Sequence, residues 1–218
     1  MKAGNPSIYA YFFMPSVSVD QEEVIFEEGV PSDPHHVYDL LTGILAQQGR
    51  VVVVFTVDGV DCLRSEELPE SFQEIQIESH THHELTLRLV EETSRHLEGV
   101  DEELVAYASN VLKTPWSQVF QRMDELIGKI KPYSDLLDNL IPYAQTYDPA
   151  WRESFEKISK EHARSLESLL SAFELGDPAS LSGELKEGFV TNLRVGIRFF
   201  NEKIIPGLRQ TIAGSTKQ

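Results

Sequence analysis

Basic residues are scarce at the front of this 218-residue chain: Lys2, Arg50 and Arg64 are the only ones among the first 79 positions. Fourteen Asp and Glu oppose them there, a net of −11 within a whole-chain charge of −16. A polyanion is repelled by such a surface, and the remainder shows no basic stripe, so neither nucleic acid nor an anionic membrane is an expected partner. Acidity of this kind ordinarily serves solubility; its sharper use is as a face for a basic partner. Cysteine is nearly absent too. Cys62 stands alone, which leaves no disulfide within the chain and points to a reducing cytoplasm. No apolar run approaches the roughly 18 residues that span a bilayer. Lys2 and the short apolar run 8–14 lack a basic n-region and a small-x-small cleavage site, so no signal peptide is expected.

Catalytic signatures are missing as well. The chain has no Gly-x-Gly-x-x-Gly, no phosphate-loop Gly-Lys-Ser/Thr and no Gly-x-Ser-x-Gly, and nothing around Cys62 marks a nucleophile. Glu22-Glu23, Glu27-Glu28 and Glu66-Glu67 are adjacent pairs. In strands they point to opposite faces, which suits a solvated edge rather than acid–base chemistry. The sequence therefore predicts no enzyme and no cofactor.

What is present is periodicity. Trp151, Phe155, Ile158, His162, Leu166, Leu169 and Phe173 recur at steps of four and three, one stripe down a helix of about six turns. Gly176-Asp177-Pro178 stops it, since Gly suits a left-handed C-terminal position and Pro opens the next helix. A second stripe follows at Leu181, Leu185, Phe189, Leu193, Ile197, Phe200 and Ile204. Two long helices joined this tightly fold back antiparallel, and further helices must cover them. Shorter 3.6-period segments fill 85–97, 101–112, 115–130 and 136–141, with Pro132 and Pro142 read as breaks.

The first 79 residues read differently. Runs 8–14, 23–28, 51–55, 60–63 and 74–78 predict five short strands, with Pro15 to Asp20 as a loop. Ser32-Asp33-Pro34 starts a helix whose Val37, Leu40, Leu41, Ile44 and Leu45 share a face. Asp58-Gly59 is a hairpin signal. The expected fold is α+β: a small mixed β-sheet with one helix across it, β-grasp-like in element order, over residues 1–79. An antiparallel bundle of about five helices follows over 80–218.

The acidic front with its Val57-Asp58-Gly59 turn, followed by helices with Leu175-Gly176-Asp177 before a long final helix, resembles a set of uncharacterised bacterial proteins. Their helical halves are similar to flagellar and secretion chaperone bundles. The resemblance implies a cytoplasmic bacterial protein with an interaction role, and it brings no catalytic residues.

Two groups of candidate site residues emerge. His80, His82 and His83, with Glu84, put three imidazoles and a carboxylate within five residues and form the candidate metal site. Extended, His80 and His82 share a face and His83 points away, so three ligands converge only with outside help. Against this stands a polar linker between the two parts. His35-His36 reads as surface, and His162, inside an apolar stripe, as a core histidine bonded to a neighbouring helix. The second group is Phe199, Phe200 and Gly196, with Gly188, which permit a close helix approach or a docking groove. Tyr9, Tyr11, Phe12 and Phe13 offer another apolar patch. The favoured reading is a non-enzymatic binding or assembly protein whose partner is another protein or a second copy of the chain. The alternative is a metal-binding protein using His80, His82 and His83.

Overall fold

The computed structural model describes residues 15–65 and 67–215. The predicted strand at 8–14, its aromatic residues and Glu66 lie outside them. The chain divides into two compact units, Met1–His82 and His83–Gln218.

The first unit is a five-stranded mixed sheet in the order β2-β1-β5-β3-β4, with one helix. Its strands are β1 (Ser16–Val19), β2 (Glu22–Glu23), β3 (Arg50–Val57), β4 (Val60–Asp61) and β5 (Glu74–Thr81). β1 runs parallel to β5, and the other pairings are antiparallel. Helix α1 (Pro34–Gln47) starts where Asp33 accepts a hydrogen bond from His35 N. It buries Val37, Leu41 and Leu45 in one core with Val17, Val52, Phe55, Val57, Ile75 and Ile77. β5 alternates cleanly, Ile75, Ile77 and Ser79 in and Glu74, Gln76 and Glu78 out. In β3 the inward residues are Val52, Phe55 and Val57, because a register shift between Val52 and Val54 inserts one residue.

The sheet is larger than expected, since β3 and β5 each run eight residues. Its first described strand also forms where a loop was expected. Ser16-Val-Ser-Val19 is too short to announce itself, yet its two valines sit beside Ile75 and Ile77 of β5, so burial makes it a strand. Two left-handed residues, Asp20 (φ 52°) and Gln21 (φ 71°), then turn the chain into β2.

Asp20 bears that strain because its carboxylate is held. Ser79 donates to it from N (2.7 Å) and Oγ (2.8 Å), and Arg50 donates at 2.9 Å while also reaching Ser79 Oγ and O. Burial alone raises the Asp20 pKa. The Ser79 hydrogen bonds and the Arg50 charge together outweigh it and hold the carboxyl below its usual range. Replacing Asp20 by alanine should cost roughly 1–3 kcal/mol, from the lost hydrogen bonds and from alanine's poorer tolerance of the left-handed conformation. Asp20→Asn should cost less, because Asn tolerates that conformation and keeps an acceptor. Urea unfolding of the two variants checks this, and equal losses would assign the effect to charge alone.

The second unit is a helical bundle. Its helices are α2 (His82–His96), which starts on the last residue of the first unit, α3 (Val100–Val111), α4 (Trp116–Gln121), α5 (Met123–Tyr147) and α6 (Arg152–Glu174). The last helix, α7, covers residues 178–215 as one run in which Glu184–Phe189 and Phe200–Ile204 are π-helical. With α1, that makes seven helices in the described chain, six of them in the bundle, where about five were expected. The expected segment 115–130 is divided instead, because α4 breaks from α5 at Arg122. The prolines also act otherwise than expected. Pro132 and Pro142 lie inside a continuous 25-residue α5, because Tyr133, Leu136, Leu137, Leu140 and Tyr143 all bury along it. Packing of the whole stripe outweighs the missing hydrogen bonds.

The turn into α7 forms as the sequence signalled. Gly176 is left-handed (φ 63°), Asp177 N donates back to Ala172 O, and the Asp177 carboxylate caps Ala179 N and Ser180 N. The first π-helical segment has a cause in the sequence. Leu181, Leu185, Phe189 and Leu193 are spaced by four, which drifts about 40° per step on an α-helix of 3.6 residues per turn. Wider turns absorb that drift, and all four residues stay buried. Among the described residues no helix is long and apolar enough to cross a membrane.

Candidate functional site: an apolar groove over a buried polar node

Helices α5 and α6 pack side by side and leave an open groove of about 460 Å³ between them. Met123, Leu126, Ile127, Ile130, Lys131 and Ser134 of α5 form one wall, and Leu166, Leu169, Leu170 and Phe173 of α6 the other. Only Lys131 and Ser134 are polar. Ile127 and Leu170 remain 47 % and 61 % exposed, and Phe120 of α4, also exposed, sets its ring 6.4 Å from that of Phe173. Leu170 sits one position off the predicted stripe of α6, so periodicity alone places it at the edge of the buried face rather than within it.

Beneath the groove lies a polar node. His162 is 5 % exposed, with Nε2 2.8 Å from Ser134 Oγ and no partner at Nδ1. Its ring meets Tyr133 edge-on at 4.8 Å and Phe189 at 5.4 Å. Burial pushes its pKa down to about 4, against the opposing pull of the Asp138 charge, so it is neutral at pH 7. A proton on Nε2 donates to Ser134 Oγ, whose hydroxyl then donates to Ile130 O at 3.4 Å. That tautomer leaves a bare acceptor at Nδ1, which costs less than a buried donor. Next to Ser134, Tyr133 donates its hydroxyl to Asn192 Oδ1 at 3.0 Å, and Asn192 Nδ2 donates to Ile158 O at 3.4 Å.

The sequence-predicted sites fare differently. His80 lies on β5 opposite Val51, and His82 is the first residue of α2. His83 Nδ1 lies 2.6 Å from Tyr143 Oη, with its ring 4.6 Å from that of Tyr147. Among the described residues no group of three or more His, Cys, Asp or Glu is arranged to hold a metal ion. His80, His82 and His83 thus stand on the last strand, at the first position of α2 and against Tyr143 respectively. The Tyr143 hydroxyl engages one of the His83 ring nitrogens. Gly196, Phe199 and Phe200, the candidate docking residues, all lie on α7 within the bundle. Phe200 is fully buried and Gly196 buried, Phe199 packs against the bundle core, and the space above Gly196 is filled by Tyr133. The close approach expected of Gly196 is real, but its occupant belongs to the same chain. His35, His36 and His96 are exposed, and Cys62 is buried in the first unit's core.

Tyr133, Ser134 and Asn192 had no signal of their own in the sequence. Tyr133 and Ser134 directly follow Pro132, which local rules treat as a helix end. Comparisons with known protein families, with curated proteins and with solved structures found no match.

Proposed function

We propose that this chain is a non-enzymatic protein-binding or assembly module that receives an apolar helical segment between α5 and α6. One observation carries the reading: an open groove walled by aliphatic and aromatic side chains, with Ile127 and Leu170 left toward solvent. Two antiparallel helices presenting such a groove are the receiving half of a helix-in-groove contact. The chaperone-like resemblance fits the same role. In the first unit, the order β2-β1-β5-β3-β4, parallel β1 and β5, and a single helix support a β-grasp-like arrangement. The lone buried Cys62 fits a reducing cytoplasm, and the charge of −16 fits a protein partner rather than nucleic acid.

Site-specific photo-crosslinking tests the reading. A photoreactive phenylalanine at position 170 of the full chain, in cells, should give a discrete protein adduct that Ile127→Glu abolishes. The same group at exposed Glu153 of α6 should give none. An adduct insensitive to Ile127→Glu, or none at all from position 170, would end the proposal.

A further inference from the structure

The charges around the groove identify the class of segment it accepts. Its lining cation, Lys131, is engaged by Asp135, and Arg122 at its α4 end pairs with Glu125 at 2.7 Å. Helical periodicity places Glu167 and Glu174, seven residues apart, along the outer flank of α6 beside Leu166, Leu170 and Phe173. Asp124 takes the matching place on α5 beside Met123 and Ile127. All three carboxylates are exposed, and no cation among the described residues pairs with them. An apolar trough is thus bordered by negative charge that the chain leaves uncompensated. We infer that the occupant is a basic amphipathic helix of a partner protein, its apolar stripe seated between Ile127 and Leu170 and its Lys or Arg flanks against Asp124, Glu167 and Glu174. A second copy of this chain is the poorer occupant. A two-fold contact through the groove would set the flank of Glu167 and Glu174 against itself or against the flank of Asp124, between molecules of charge −16 each.

This inference rests on the docking groove proposed above, and two synthetic peptides separate the two. Both are helices of about 18 residues with leucines at i, i+3, i+4 and i+7, one filled out with lysine and the other with glutamate. Anisotropy titrations of the full chain should show the Leu/Lys peptide binding at least about tenfold tighter than the Leu/Glu peptide, with affinity falling as salt rises. Leu170→Glu should weaken the Leu/Lys peptide about tenfold or more. Attraction to an acidic surface alone predicts the reverse, because this variant adds negative charge. The pair Glu167→Lys and Glu174→Lys should weaken it by a similar factor. Circular dichroism confirms that each variant is folded, and Ile127→Glu replaces Leu170→Glu if the latter is not. Equal binding of both peptides, lost in Leu170→Glu, would overturn the basic-partner inference and leave the groove standing. Binding of neither, or binding untouched by Leu170→Glu, would remove the groove reading itself. A dimer in sedimentation that Leu170→Glu dissociates would make the occupant a second copy and overturn the inference.

Discussion

Gly196→Ala should lower the stability of the helical unit by about 2–3 kcal/mol, although alanine is the better helix former by about 1 kcal/mol. A Cβ at 196 would stand 2.1 Å from the Tyr133 hydroxyl and 2.7 Å from two of its ring carbons. Tyr133 is fully buried, edge-on to His162 and Phe189, with its hydroxyl bonded to Asn192, so it has no free direction in which to retreat. Gly196→Val should lose more. Trp116 and Trp151 both lie in the second unit, so tryptophan fluorescence during urea unfolding reads that unit directly. Tyr133→Phe removes the atom in closest conflict while giving up the Asn192 hydrogen bond. The double variant with Gly196→Ala should then lose less than the sum of the singles, by about 1 kcal/mol. Gly196→Ala as stable as the parent chain would mean that α7 shifts easily, and the packing account would be wrong.

The second large effect is a loss of stability on mild acidification. His162 is neutral in the fold, with its pKa depressed to about 4, whereas in the unfolded chain it takes up a proton near the ordinary histidine value of 6.5. Between those values the unfolded state binds more protons, so its stabilising contribution is whole above about pH 6.5 and lost as pH falls toward 4. The full loss is on the order of 3 kcal/mol. The groups facing His162 are Tyr133, Ser134 and Asp138 of α5 and Phe189 of α7, and only Asp138 carries charge that could offset it. His162→Gln keeps a donor for Ser134 and does not titrate. It should flatten stability between pH 6.5 and 4, read by tryptophan fluorescence, while leaving the steeper decline below pH 4. There Asp177 loses its bonds to Ser180 and Ala179 on protonation. An unchanged pH profile in His162→Gln would show that the buried imidazole is protonated without cost.

Local signals announce themselves because they act over a few residues. The Asp33 cap, the Asp58-Gly59 turn and the left-handed Gly176 before the Asp177 cap each depend on neighbours within four positions, and each forms. The α6 stripe likewise buries Phe155, Ile158, His162 and Leu169. The short strand at 16–19 was not legible, because its partner β5 lies more than fifty residues away and only burial against Ile75 and Ile77 makes it a strand. The prolines of α5 misled for a related reason. Their local cost is real, but a stripe running from Leu126 to Tyr143 repays helix continuity across both.

The sequence by itself determined the change of period after the first eighty residues, the antiparallel pair of long helices, the acidity, and the presence of a histidine within a core stripe. Tertiary structure alone decided what those residues meet. It set Tyr133 against Gly196, Ser134 against His162 and Tyr143 against His83, and it left Ile127 and Leu170 uncovered. The physical reason is that period and caps are properties of one segment. Convergence, close approach and exposure belong to pairs of segments, whose partners are selected by the burial of the whole chain.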